Sequence, residues 1–169
     1  MIHLYVGSGK GKTTAAVGLS IRMLGYGHGV LFCRFLKGES GEINPLRRLG
    51  SHVINAPHTG KFTFQMSPEE LKRAGAANAR FLGDLREIIC NGGFALIVLD
   101  EIIDAVNTCI LNIDEVIAFI KNIPQETEIV LTGRDPDVKI VALADYHTEF
   151  VSHRHPYEKG VQARRGIEY

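Results

Sequence analysis

Short, nearly unbroken apolar runs alternate along the chain with segments whose apolar residues recur at helical spacing. "IHLYV" (2–6) reads as a buried strand, and "KTTAAVGLSIRML" (12–24) sets Ala15, Ala16, Leu19 and Met23 on one helical face. The turn "GYGHG" (25–29) leads into a second buried strand, "VLFCRF" (30–35). A looser polar region, "LKGESGEINPLRRLGS" (36–51), precedes a short strand around "HVINA" (52–56). The stretch "PHTGKFTFQM" (57–66) has no period, and a compact domain seldom keeps such a loop without a use for it.

Ser67-Pro68-Glu69-Glu70 then announces a helix: serine caps, proline fits the first helical position and Glu70 completes a capping box. The helix is expected to run to about Asn91 and to stop at Gly92-Gly93. "FALIVLD" (94–100) is the most apolar strand of the chain. A helical region around 113–122, strand "EIVLT" (128–132), helix "PDVKIVALA" (136–144) and strand "TEFVS" (148–152) complete the series. Strands this apolar, alternating with helices, predict an α/β fold with a parallel sheet covered on both faces. With no repeat, low-complexity tract or linker, residues 1–169 read as one domain.

Composition agrees. Hydrophobic residues make up 45% and charged residues 22%, as in a soluble globular protein. Lysine plus arginine equals aspartate plus glutamate at 19 each, which argues against broad nucleic-acid or anionic-membrane binding. No apolar stretch approaches bilayer length, and the start of the chain does not look like a signal peptide, so the expectation is a cytoplasmic protein. Cys33, Cys90 and Cys109 lie among apolar residues and read as reduced core thiols. His153-x-His155 lacks companions at ligand spacing, and both read as polar tail residues.

The chemistry is concentrated in "GSGKGKTT" (7–14), between a strand and a helix, the context a phosphate-binding loop needs. The usual pattern is G-x-x-x-x-G-K-[ST], and counting back from Gly11-Lys12-Thr13 puts Val6 where the first glycine belongs. Gly7, Gly9 and Gly11 let backbone N–H groups turn toward phosphate oxygens, and the helix start adds its positive dipole end. Ser8, Lys10, Lys12, Thr13 and Thr14 complete the nucleotide-binding set, with Lys12 on phosphate oxygens and the Thr13 hydroxyl on Mg²⁺. "FALIVLDE" supplies the usual companion, a buried strand ending in Asp100-Glu101. Asp100 either holds Mg²⁺ or caps the following helix; Glu101 either orients a water or joins the metal shell. Together these point to ATP·Mg²⁺, without saying which bond of ATP is broken.

Over nearly its whole length the chain resembles the ATP:corrinoid adenosyltransferases. The likeness is carried by "GSGKGKTTAA" with its short loop, by Arg22 with "GYGHGV", and by "FLKG" (35–38). It continues through "VLDE" (98–101), "TGRDP" (132–136) and the tail "HPYEKGVQARRGIEY" (155–169). The resemblance implies a RecA-like phosphate-loop fold and a reaction in which Co(I) of a reduced corrinoid attacks the 5′ carbon of ATP and expels tripolyphosphate. Lys12, Thr13 and Glu101 are then the catalytic set, and Thr13, Asp100 and Glu101 the Mg²⁺ set. It also implies a homodimer and an electron donor such as a flavodoxin-like reductant. The shortened loop is then expected to seat the triphosphate in the opposite direction from usual, so that the sugar faces the acceptor.

Phe62 and Phe64 read on pattern alone as core residues of a short extended segment; the resemblance instead presses them against the corrinoid face, excluding a lower cobalt ligand. Arg134 follows a strand end and is either a phosphate or corrinoid contact or an exposed turn residue. Arg22 is either a phosphate contact or a surface residue. The tail reads as frayed from its pattern, whereas the family likeness folds it back near the site. Many members carry a segment before the first strand, so the corrinoid pocket is expected to close here by a second subunit or by the chain's own loops. A phosphate-loop ATPase or small-molecule kinase is the alternative reading, with a non-catalytic nucleotide-binding module as a third.

Overall fold

Two apolar clusters, one on each face of a six-stranded parallel sheet, form the core. They are seen in a computed structural model that describes residues 1–36, 38, 40–61 and 63–167. The strands are β1 (Ile2–Val6), β2 (Val30–Arg34), β3 (His52–Asn55), β4 (Leu96–Asp100), β5 (Glu128–Gly133) and β6 (Tyr146–Glu149), in the order β3-β2-β4-β5-β1-β6. Every neighbouring pair is parallel. Side chains alternate across a strand, so Leu31, Cys33, Ile97 and Leu99 join one cluster while Val30, Phe32, Leu96 and Val98 join the other. Burial on both faces explains why these strands read as unbroken apolar runs. Each fully buried Leu, Ile or Phe contributes about 1.5–3 kcal/mol.

The helices cover both faces. The second cluster packs under α1 (Lys12–Gly25) and α2 (Ile43–Arg48), through Ala16 and Leu46. The first lies under α3 (Pro68–Gly92), α4 (Ile102–Asn107), α5 (Ile113–Lys121) and α6 (Val138–Val141). The sheet, its helices and the position of the phosphate loop bear out the phosphate-loop α/β fold. The capping box of α3 is formed as read: Ser67 Oγ accepts from the Glu70 N–H at 3.2 Å, and Glu70 Oε2 accepts from the Ser67 N–H at 2.9 Å. Gly93, left-handed at φ 60°, ends the helix. No helix among the described residues is long and apolar enough to cross a membrane.

Several expectations need correction. The helix expected over 136–144 is only Val138–Val141, capped by Asp137 and followed by tighter turns, Leu143 N–H to Ile140 O and Ala144 N–H to Val141 O. The last strand begins two residues early because Asp145 Oδ2 accepts from the Ile2 N–H at 2.7 Å and Asp145 N–H donates to Ile2 O, fixing its register against β1. It ends early because Phe150 turns toward the phosphate loop. The polar region contains α2, and a further short helix, α4, follows β4. Of the three cysteines only Cys33 is buried; Cys90 and Cys109 are exposed. Burial, and secondarily the charge of Asp100, push the Cys33 thiol far above its ordinary value, so it is an inert core group.

Candidate active site

Parallel strands present their carboxyl ends on one edge of the sheet, and the chemistry-bearing residues collect there. Val6 is the last residue of β1 and is buried, so the strand runs one position further than the usual motif allows. The loop is correspondingly short, turning at Gly7 (φ 107°) and Gly11 (φ 115°) before α1 begins. It rests on the end of β6. Gly9 N–H donates to Phe150 O at 2.6 Å, and Phe150 N–H donates to Val6 O at 2.8 Å. A Cβ at Gly9 would lie 2.7 Å from the Phe150 carbonyl, and one at Gly7 2.6 Å from the same oxygen. Two of the loop's glycines are therefore required by this backbone approach.

Residues 8–14 form one wall of a cavity of about 720 Å³, within the range of small-molecule sites. Arg34, Ser40, Glu42, Glu101, Asp104 and Arg134 line its other sides. Lys12 Nζ donates to Gly7 O at 2.7 Å and to Gly9 O at 2.9 Å, which curls the side chain over its own loop. Thr13 Oγ1 donates to Asp100 Oδ1 at 2.9 Å, linking the first turn of α1 to the end of β4. Asp100 itself is fully buried. The Thr132 hydroxyl, at the end of β5, donates to the same Asp100 oxygen at 2.7 Å and accepts from the Glu101 N–H at 2.8 Å. Glu101 is held in the left-handed region at φ 62°, a strained conformation for a side chain with a Cβ and a common one at functional sites.

The Thr13 hydroxyl and the Asp100 carboxylate lie side by side, oxygen donors of the kind a hard divalent cation prefers, and Glu101 lines the cavity next to Asp100 in sequence. Among the described residues no group of three or more His, Cys, Asp or Glu is gathered for a metal. A cation at Thr13 therefore depends on oxygens brought by a ligand.

The remaining candidates divide. Arg134 lines the cavity, with its N–H donating to Asp104 Oδ1 at 3.3 Å and its carbonyl accepting from Asn107 Nδ2 at 2.8 Å. Gly7 stands behind the cavity wall, against Phe150. Arg22 lies in the last turn of α1, exposed and outside the cavity lining, about 15 Å along the helix from Lys12. Its charge acts on Tyr5, whose hydroxyl burial pushes up and Arg22 partly pulls back. Phe64 sits in a single 3₁₀ turn, Thr63–Gln65, and is 82% exposed, so it is no core residue. Phe62 lies outside the described residues.

Other contributors were not singled out from the sequence. His155, read from the sequence as a polar tail residue, lines the cavity with Gly166 and Ile167, so the tail does return to the site. Its Nδ1 accepts from the Tyr157 N–H at 3.2 Å. Thr132 lies at the carboxyl end of β5 and Asp104 just beyond that of β4, a place where ligands gather. Arg34 carried a visible signal, a lone charge inside an apolar strand.

Comparisons with known proteins agree with one another. The family described as ATP:corrinoid adenosyltransferase BtuR/CobO/CobP matches residues 1–169. Corrinoid adenosyltransferase CobA of Salmonella typhimurium is 32% identical over 171 residues, covering 100% of this chain and 85% of that protein. The corrinoid adenosyltransferase of Escherichia coli K12 is 30% identical over 171 residues, with the same coverage of 100% and 85%. An uncharacterized protein of Nostoc, all2391, is 37% identical over 169 residues. These are 92% of this chain and 44% of that protein, so the chain spans less than half of its length.

Proposed function

The chain belongs to the ATP:corrinoid adenosyltransferases, and on that premise we propose that it transfers the 5′-deoxyadenosyl group of ATP to the Co(I) of a reduced corrinoid. The cobalt supplies an electron pair to the 5′ carbon, the bond from that carbon to the phosphate oxygen breaks, and tripolyphosphate leaves with the pair. The observation that carries this reading is the shortened loop, with Val6 completing β1 and residues 8–14 forming a wall of the cavity.

The reaction sets particular demands on that wall. A kinase directs the outermost phosphorus at an acceptor, whereas here all three phosphates must be held as a leaving group. Donors arranged before reaction around the place where charge grows are the most effective catalytic device available to such a site. Lys12, already held within its loop by Gly7 O and Gly9 O, and Lys10 beside it provide the positive charge. The start of α1 adds inward-facing N–H groups. A divalent cation on Thr13, Asp100 and Glu101 would supply further positive charge at the phosphate oxygens. Thr132 fixes the Asp100 carboxylate toward Thr13. Phe64, exposed on its turn, offers an aromatic face for a corrinoid ring. A reducing partner, of flavodoxin-like type, provides the electron that makes Co(I).

Phosphorus NMR of the products tests the reading. Tripolyphosphate formed in equal amount with the alkylated corrinoid supports it. ADP and phosphate formed at the same rate with or without corrinoid would instead make Glu101 the water-orienting base of an ATPase.

A further inference from the structure

Arg34 ends β2 as the only charged residue of a strand whose five positions are all buried. It stands in register with Asp100 of β4, and with Val30 and Phe32 it belongs to the sheet face covered by α1 and α2. Its side chain is 1% exposed. Among the described residues, none of Nε, Nη1 or Nη2 has a hydrogen-bond partner. Yet Arg34 borders the same cavity as phosphate-loop residues 8–14.

A guanidinium carries five N–H donors and does not lose its proton. Buried without a partner, it forfeits its hydration with nothing in exchange, among the costliest arrangements a core can hold. Packing does not call for the charge, since an apolar residue would fill the end of β2 at lower cost. The carboxylate beside it in register is engaged elsewhere: Asp100 Oδ1 accepts from both Thr13 and Thr132. Among the described residues the guanidinium has no partner, and it borders the cavity, so a ligand there that brings oxygen acceptors, preferably anionic ones, would supply one.

We propose that Arg34 is a polyphosphate-binding residue, gripping the leaving tripolyphosphate from the β2 side while the phosphate loop holds it from the β1 side. This rests on the adenosyl-transfer reading and adds a residue to it. The planar fork matches two oxygens of a phosphate, which a lysine at the same place would not. In so buried a place its attraction strengthens as charge accumulates on the phosphate chain, so it favours bond breaking as well as binding. A carboxylate on a corrinoid side chain offers the same oxyanion chemistry. The polyphosphate is favoured because the phosphate loop shares the cavity.

The test uses inorganic tripolyphosphate, without corrinoid or turnover, on the full chain and on Arg34→Gln and Arg34→Met. Calorimetric affinity for tripolyphosphate is expected to fall roughly 10- to 100-fold in both variants, as for loss of charge-assisted hydrogen bonds. Without ligand, both variants are expected to melt a few degrees higher than the parent, because an uncompensated buried charge is gone. Variants that melt lower and bind tripolyphosphate as the parent does would make Arg34 a structural residue and overturn the proposal. Unchanged tripolyphosphate affinity with weakened binding of a carboxylate-bearing corrinoid would overturn it too, by identifying the other oxyanion. A parent protein that does not bind tripolyphosphate would also sink it. Loss of tripolyphosphate binding in variants of a parent that never alkylates cobalt would uphold the Arg34 site and refute only the transfer reaction.

Discussion

Thr13 Oγ1 donates to Asp100 Oδ1 at 2.9 Å, which makes one unit of two residues 87 positions apart in sequence. The hydroxyl comes from the first turn of α1 and the carboxylate from the end of β4, so the pair reports that both elements are in their working positions. Thr13→Val keeps the shape and removes the hydroxyl. Steady-state kinetics at varied Mg²⁺ should show the half-saturating Mg²⁺ concentration rising roughly 10- to 100-fold, the usual cost of disturbing a metal's ligands. An unchanged Mg²⁺ requirement would count against placing the cation there.

Gly7 and Gly9 are required by the backbone of Phe150, and this separates them from a glycine such as Gly18. At Gly9 a Cβ would meet the Phe150 carbonyl group at 2.7 Å and Val151 C at 2.9 Å. Gly9→Ala should therefore cost about 1–3 kcal/mol in urea unfolding, the range for overpacking, and weaken nucleotide binding as well. Gly18, in α1, has nothing within 4 Å of a Cβ. Gly18→Ala should stabilise by about 0.5–1 kcal/mol and leave activity alone. Equal effects at the two positions would refute the brace.

Phe64 is 82% exposed, so truncation there removes little from the fold. Phe64→Ala should change unfolding free energy by less than about 0.5 kcal/mol and leave ATP affinity intact. Adenosylation of Co(II) corrinoid under reducing conditions should fall by about tenfold or more, the effect of losing one aromatic contact. If ATP binding falls equally, the aromatic role is wrong.

The cap of α3 predicts a pH dependence. Lys61, and then the Ser67 N–H, hydrogen-bond the Glu70 carboxylate and hold it below its ordinary value. A carboxylate depressed in the folded state adds stability above its unfolded value, and that stability is lost as pH falls through the folded one. The deficit of Glu70→Gln relative to the parent should thus be full near neutrality and shrink on acidification below the carboxylate range. Ser67→Ala should cost about 1 kcal/mol in thermal unfolding at neutral pH. A Glu70→Gln deficit that does not change with pH would show that charge plays no part in the cap.

What could be read in advance was what local chemistry decides. The glycine loop, the Asp100-Glu101 strand end and the Ser67–Glu70 box are each made of residues only a few positions apart in sequence. Their signatures follow from backbone rules that can be recognised without the rest of the chain. The misreadings came from long-range relations. The register of β6 depends on Asp145 meeting Ile2, and its end on Phe150 meeting the loop, contacts across more than 140 residues. Cys90 and Cys109 have apolar neighbours in sequence but face outward, because what decides exposure is the packed face of the element. The tail has no periodic signal, yet His155, Gly166 and Ile167 reach the cavity. Arg34 stood in plain view in "VLFCRF", but that its guanidinium has no partner among the described residues is a property of the folded core.

The central claim concerns which atom of ATP meets the acceptor. Anaerobic incubation with ATP, Mg²⁺ and chemically reduced cobalamin, followed by optical spectroscopy, tests it directly. The account predicts conversion to the spectrum of a cobalt–carbon bond, dependent on ATP and abolished by Lys12→Ala. Cobalamin that stays as Co(I) while ATP is consumed to ADP would contradict it.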